Sequence, residues 1–215
     1  MNLNELNKKY AALMPRQRIE ALYTDFSKIL YTSSFGTTAV YLLHIFSKVH
    51  PGQTIHFLDT TYHFPETLKY KEELTGLLNL KVISLKGDEW RNKFTQQDKT
   101  WEKDPDLCCS VNKVEPLELI KPGYEVWVSG LMRSQNDHRK DLDVFIEKDG
   151  LLRFYPIIDQ TEEDAESYIR LNNLPRHPLT SKEYHSVGCT HCTTQGRARE
   201  GRWINKSKSE CGLHL

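Results

Sequence analysis

Five cysteines hold most of the chemistry this sequence can do, and their spacing divides them four to one. Cys108 and Cys109 are adjacent, Cys189 and Cys192 form a Cys-x-x-Cys pair, and Cys211 stands alone in Ser209-Glu210-Cys211-Gly212-Leu213-His214-Leu215. Cys-x-x-Cys is a metal-ligand spacing because two thiolates on one turn share an ion without strain, and a second pair completes a tetrahedral set. Neighbours on a helix point roughly 100° apart, so Cys108 and Cys109 reach one site only at a helix end or kink. Pro116 and the polar approach from Asp104 provide for one. The two pairs then account for each other, as ligands of a metal cluster or of zinc. Cys211 is left as a nucleophile for a substrate held beside them. His191, between two ligands, reads as a neighbouring or surface group, not a fifth ligand.

Cations accompany these thiols. Arg197, Arg199 and Arg202 precede Cys211; guanidinium forks bind phosphate or sulfate bidentately, and nearby positive charge raises a thiol's thiolate fraction. His214, three residues beyond Cys211, is placed to hydrogen-bond a substrate or to position the thiol. Lys113 follows Cys109 by one helical turn and shares its face, where it would offset thiolate charge and reach an anion.

A second feature is the segment Ser33-Ser34-Phe35-Gly36-Thr37-Thr38, between an expected strand and an expected helix. Small hydroxyl residues and a glycine let the backbone turn tightly and aim N–H groups at an anion, with the helix dipole behind them. It carries no Walker lysine and so is not a standard nucleoside triphosphate loop. Asp59-Thr60 and Arg133 end two further expected strands, on the rim where open α/β sheets bind ligands. Asp59 serves equally well as a helix cap.

The elements that must position these groups follow from periodicity. Leu3, Leu6, Tyr10 and Leu13, then Ile19, Leu22, Phe26 and Ile29, recur at helical spacing on either side of Pro15. Strands are expected at Lys28–Thr32, Thr54–Leu58, Lys81–Leu85 and Tyr124–Ser129, with helices at Ala39–Val49 and from Pro65 to about Leu78. That alternation predicts a parallel sheet covered on both faces. Asp88–Asp106 reads as helix then loop. Leu142–Glu147 and Leu151–Ile158 read as a hairpin about Asp149-Gly150. Thr161 caps a helix with an acidic first turn. One domain is expected over residues 1–215, with a nucleotide-binding α/β core at 32–160 and the second cysteine pair and reactive tail at 175–215.

The 215 residues are enough for one full core. Lys plus Arg and Asp plus Glu both number 29, which argues against a nucleic-acid binder. Met1 to Phe26 has no apolar signal core, and the apolar run Ala39–Phe46 is too short to span a bilayer, so a soluble cytoplasmic protein is expected. An odd cysteine count without an export signal favours metal and thiol chemistry over disulfides. Nothing in the sequence sets an oligomeric state.

With these residues in view, the chain resembles the assimilatory adenylyl-sulfate and phosphoadenylyl-sulfate reductases, from Thr32 to His214. The resemblance is carried, in order, by Ser33-Ser34-Phe35-Gly36, Leu58–Thr67, Cys108-Cys109 with Lys113–Leu117, Cys189-x-x-Cys192, Gly201-Arg202-Trp203 and Glu210–His214. It implies an adenine-nucleotide α-hydrolase-like fold, a Rossmann-like parallel sheet flanked by helices, with a mobile C-terminal tail. It implies that the Cys211 thiolate attacks the sulfur of adenylyl sulfate, and that thioredoxin or glutaredoxin then releases sulfite from the S-sulfocysteine. The paired cysteines mark the branch with a [4Fe–4S] cluster, which implies Cys108, Cys109, Cys189 and Cys192 as its ligands and adenylyl sulfate as the preferred nucleotide. By position, Ser33, Ser34, Gly36 and Thr60 would hold the nucleotide. Lys113, Arg133, Arg199 and Arg202 would surround the anion, with His214 beside it.

The chain departs from the family pattern at Met132, where an arginine is common, at Asn112, also a frequent arginine, and at Thr37-Thr38 and Thr61. Competing readings are reduction of phosphoadenylyl sulfate or of both nucleotides, a non-catalytic metal- or nucleotide-binding module, and an ATP-using α-hydrolase relative.

Overall fold

A computed structural model describes residues 2–204, 208 and 210–214. Helix α1 (Leu3–Ala11) opens with a reciprocal Asn2–Glu5 capping box, and α2 (Pro15–Asp25) starts on Pro15, whose missing N–H is one the first turn leaves unpaired anyway. Strand β1 (Ile29–Ser33) leads into α3 (Ala39–Val49), β2 (Thr54–Leu58), α4 (Pro65–Leu77) and β3 (Lys81–Leu85). The predicted α3, β2 and β3 coincide with the observed ones, because alternation and apolar runs of these lengths leave little choice.

The stretch expected as helix then loop folds as α5 (Glu89–Gln97) and the short α6 (Thr100–Lys103). Next come α7 (Pro105–Cys109), a π-helical turn at Ser110–Val114, and α8 (Glu115–Glu118), with Pro116 in its first turn. The irregularity beside the first cysteine pair is that π turn, ahead of Pro116, where a kink was expected.

Strand β4 is confined to Val126–Val128. β5 (Phe145–Lys148) and β6 (Leu151–Phe154) form the expected hairpin, with Asp149 at φ 54° and Gly150 at φ 73°, the two positive values of a type I′ turn. Helix α9 (Glu162–Leu171) is capped by Thr161. The sheet runs β3-β2-β1-β4-β6-β5 and is parallel except for edge strand β5. Asn7 pairs with the backbone of Phe145 through two hydrogen bonds of 2.9 and 2.7 Å, tying α1 to that edge.

Chain order reverses between β1 and β4, and ligands of open α/β sheets bind outside the carboxyl ends of the strands at such a switch. One sheet face carries the larger core, including Tyr31, Val128, Phe46 and Phe145. The other carries a smaller cluster of Leu30, Leu117, Trp127 and Leu151, against which Leu213 packs. Among the described residues, no helix is long and apolar enough to cross a membrane.

Candidate active site and thiol-lined cavity

The segment after β1 turns because Phe35 takes φ +50° and buries its ring edge-on to Phe57 at 5.7 Å. Its N–H donates to Ser33 Oγ at 3.2 Å, and Thr37 Oγ1 donates to the carbonyl of His185 at 2.8 Å. Ser33, Ser34 and Gly36 thereby line a solvent-open cleft of about 210 Å³. The same cleft is lined by Lys113, Arg139, Arg199, Arg202, Cys211 and His214, so one cavity joins the candidate anion loop to the lone thiol.

Backbone pairing brings the late segments there. His63 and Cys189 form an antiparallel bridge, with Thr190 N donating to Tyr62 O at 2.8 Å. Thr193 bridges Arg202, and Trp203 N donates to Cys192 O at 3.1 Å. Trp203 is buried, with the Arg202 and Arg199 guanidinium groups 4.4 and 5.6 Å from its ring centroid. The Gly-Arg-Trp motif is therefore a post that aims two cations. Gly201 belongs to it because a Cβ there would meet the carbonyl oxygen of Thr194 at 2.1 Å.

Glu210 to His214 lie docked in the cleft. Glu210 is 2% exposed and accepts from Arg139 Nε at 2.6 Å, Asn136 Nδ2 at 2.8 Å and Arg199 Nη2 at 3.3 Å. Burial raises its pKa, but the two arginines and Asn136 outweigh burial and hold the carboxyl down at about 2. Gly212 turns the chain at φ +88°, and His214 stacks on Trp127. Burial, with Arg139, Arg153 and Lys121 around it, lowers the imidazole pKa to about 3 against the pull of Glu210, so the ring is neutral at physiological pH.

Cys108, Cys109, Cys189 and Cys192 all line a second, much smaller cavity. The Cys108-Cys109 pair ends α7 where the π turn begins, and Cys192 N donates to Cys189 O at 3.0 Å, folding the other pair into one turn. Asn112, one of the departures noted above, props this wall. It is 1% exposed and donates to Cys108 O at 2.9 Å while accepting from Asn92 at 2.6 Å. His191 stacks on Trp101 at 3.9 Å, along the same cavity.

Burial and the thiols of Cys109, Cys189 and Cys192 push Cys108 up to about 12. Cys189 feels burial too, yet Lys113, the Thr60 hydroxyl and Arg202 together hold it below the ordinary thiol value. Four thiols that crowd one another suit a cationic group shared among them. Among the described residues, no three His, Cys, Asp or Glu side chains converge tightly enough to grip a single ion.

Two expectations change. Thr60 does not line the cleft; its hydroxyl lies 3.4 Å from Cys189 Sγ, on the wall of the thiol-lined cavity, because the β2–α4 connection turns it inward. Arg133 does not line the cleft either. Its Nε donates to Leu142 O at 2.9 Å and its guanidinium faces Asp143, since the short helical turn at Arg133–Gln135 carries it away. Met132 is fully buried in the larger core. The cation supplied from this segment is Arg139, which had no motif to mark it. Lys208, paired with Asp106 beside the first cysteine pair, was missed for the same reason.

Comparison with known proteins agrees with this geometry. Residues 28–195 match the family model of the phosphoadenosine phosphosulfate reductase domain. An adenosine 5′-phosphosulfate reductase of Halalkalibacterium halodurans is 36% identical over 100% of this chain and 97% of its own length. One from Streptomyces coelicolor is 38% identical over 85% of this chain and 80% of its own length. The crystal structure of phosphoadenylyl-sulfate reductase from Candida auris, a phosphate complex, superposes with a TM-score of 0.77 at 26% identity, covering 89% of this chain and 95% of that one. An FMN adenylyltransferase of Candida glabrata shares the fold alone, with a TM-score of 0.62 at 13% identity. The chain belongs to the phosphoadenosine phosphosulfate reductase family.

Proposed function

We propose that this protein reduces adenylyl sulfate to sulfite and AMP, as an oxidoreductase of sulfate assimilation. The observation that carries the reading is the single cleft holding both the Ser33–Thr38 loop and Cys211, with Lys113, Arg139, Arg199 and Arg202 on its walls. The names of the relatives, adenosine 5′-phosphosulfate reductases at 36–38% identity, support adenylyl sulfate over its 3′-phosphorylated counterpart.

In the first step the Cys211 thiolate attacks the sulfate sulfur. A sulfur–sulfur bond forms, the sulfur–oxygen bond breaks, and AMP leaves with the electron pair. The nucleophile is covalent and the leaving group good, so the enzyme's task is to offset charge on the transferring group, which falls to the cations around the cleft. In the second step a thiolate of thioredoxin or glutaredoxin attacks Cys211 Sγ, sulfite departs, and a second thiol of the reductant resolves the mixed disulfide. The tail must open for that step. Such a reductant operates in a reducing compartment, which supports a cytoplasmic location.

Cys108, Cys109, Cys189 and Cys192 would hold a [4Fe–4S] cluster, and their chemistry fits one: four thiols spread around a cavity, with the Lys113 cation at its edge. When bound, the cluster would fix the field and geometry beside the anion and not carry the electrons of the reaction. Zinc would need these thiols drawn onto one ion, closer than the described residues bring them, and iron and sulfide analysis of anaerobically purified protein separates the two.

The test of the function is sulfite release with reduced thioredoxin, comparing the two nucleotides. Turnover of adenylyl sulfate at least tenfold above phosphoadenylyl sulfate is expected. Equal turnover would make the enzyme a dual reductase, and no sulfite from either would end the proposal.

A further inference from the structure

The small face of the sheet carries a socket that the reaction outlined above does not require by its chemistry. Trp127 on β4 and Arg153 on β6 are lateral neighbours in register. The Arg153 guanidinium lies 5.3 Å from the Trp127 ring centroid and the Lys121 ammonium 4.7 Å from it. Trp127 is itself locked, its indole N–H donating to Thr32 Oγ1 at 2.8 Å.

Into this frame the tail inserts Leu213 and His214. The His214 ring stacks on Trp127 at 4.8 Å and 13°, and meets Tyr155 edge-on at 6.0 Å. Its Nε2 lies 3.5 Å from Ser129 Oγ, and Arg153 Nη1 donates to Leu213 O at 3.3 Å.

Two further facts bear on what the socket is for. Arg153 is 3% exposed, yet among the described residues its Nε has no hydrogen-bond partner and the carboxylate it pairs with, Asp149, is 3.9 Å away. A buried guanidinium is costly to a fold unless its donors are used, and here the carbonyl of Leu213 takes one of them. Second, among the described residues His214 Nδ1 is buried without a hydrogen-bond partner. The ring is seated by its face more than by its nitrogens.

The geometry points to Trp127 and Arg153 as positioning residues that seat His214 and Leu213, and so hold Cys211 over the cleft. With Glu210 pinned by Arg139 and Arg199 on the other side, the reactive thiol is suspended between two anchors. Opening for the reductant means leaving the socket. This inference rests on the reading of Cys211 as nucleophile, but the socket itself is testable without it.

The test compares His214→Ala, His214→Phe and Arg153→Met in the cluster-loaded protein. Two measurements are made: single-turnover formation of the Cys211 adduct with adenylyl sulfate, and amide hydrogen exchange of residues 210–214. A flat ring that stacks but carries no nitrogen should suffice. His214→Phe is expected to form the adduct within about fivefold of wild type, whereas His214→Ala loses about a hundredfold, the scale of truncating a buried aromatic ring.

Arg153→Met removes a poorly paired buried charge, so its melting temperature should equal or exceed wild type. Its adduct formation should nonetheless fall about tenfold, with faster exchange at 210–214 and AMP affinity unchanged. Equal loss in the Phe and Ala variants would mean that the imidazole acts through its nitrogens, and the socket proposal fails. Unchanged exchange in both His214→Ala and Arg153→Met would also overturn it, whatever the activity. Wild-type protein that forms no adduct while exchange follows the pattern above would retain the socket and discard the nucleophile.

Discussion

Lys113 and Cys189 lie side by side on the wall that separates the cleft from the thiol-lined cavity, and each borders both. Burial pulls the lysine's pKa down, but Cys189, Cys211 and Cys109 outweigh burial and hold it above the ordinary lysine value. A fixed cation at this point serves the cysteine sulfurs and an anion in the cleft together. Lys113→Met should reduce adduct formation by about 10²–10³, the range for losing one preorganised electrostatic contact, while AMP binding changes far less. Single-turnover mass spectrometry and AMP titration calorimetry check both halves.

The Glu210–Arg139 pair is almost wholly buried. Removing one partner of such a pair leaves a charge without compensation, at about 3–5 kcal/mol. Glu210→Gln is expected to undock the tail and slow adduct formation by at least tenfold, without altering AMP affinity. Combining it with Arg139→Gln should hurt less than the sum of the two. A strictly additive pair in the double-mutant cycle would contradict the contact.

Tail docking should depend on pH through His214. The docked ring holds its proton only below about 3, against 6.5 when free, so the undocked tail binds more protons and docking strengthens as pH rises. The contribution is complete above pH 6.5 and is lost progressively as pH falls toward 3. Between pH 7.5 and 5.5 the docking equilibrium should weaken by about tenfold, read as faster exchange of residues 210–214. Glu210, held near 2, adds a second loss only below its ordinary range, from about pH 4.5 downward. His214→Phe should abolish the first window and leave the second.

Gly188 makes room for Arg202, since a Cβ there would lie 2.2 Å from Arg202 Nη2. The guanidinium is the end of a flexible chain and would swing aside, so Gly188→Ala should barely change the melting temperature. The displaced cation should raise the KM for adenylyl sulfate about tenfold, and steady-state kinetics beside a thermal melt separates these effects.

The parts of this site that repeat a local rule were legible in the chain. The Cys-x-x-Cys turn, the strand–loop–helix around Ser33–Thr38 and the Asp149-Gly150 hairpin each follow from neighbours in sequence. Cys108 and Cys109 needed a change in the helical stagger, and the π turn directly after them supplies one within a continuous helix. What escaped is long-range. Arg139 meets Glu210 across 71 positions, and His214 finds Trp127 only because β4 and the tail converge on one sheet face. Arg133 follows a strand, but the direction of a side chain after a short helical turn is set by local geometry that position alone does not carry. Thr60 was placed on the correct rim and turned to the other cavity for the same reason.

The central claim is that Cys211 accepts the sulfonate. Wild-type protein mixed with adenylyl sulfate without reductant should gain the mass of one SO₃ group on Cys211 for each AMP released, and reduced thioredoxin should then discharge it as sulfite. AMP released with no adduct, or sulfite still produced by Cys211→Ser, would contradict the account.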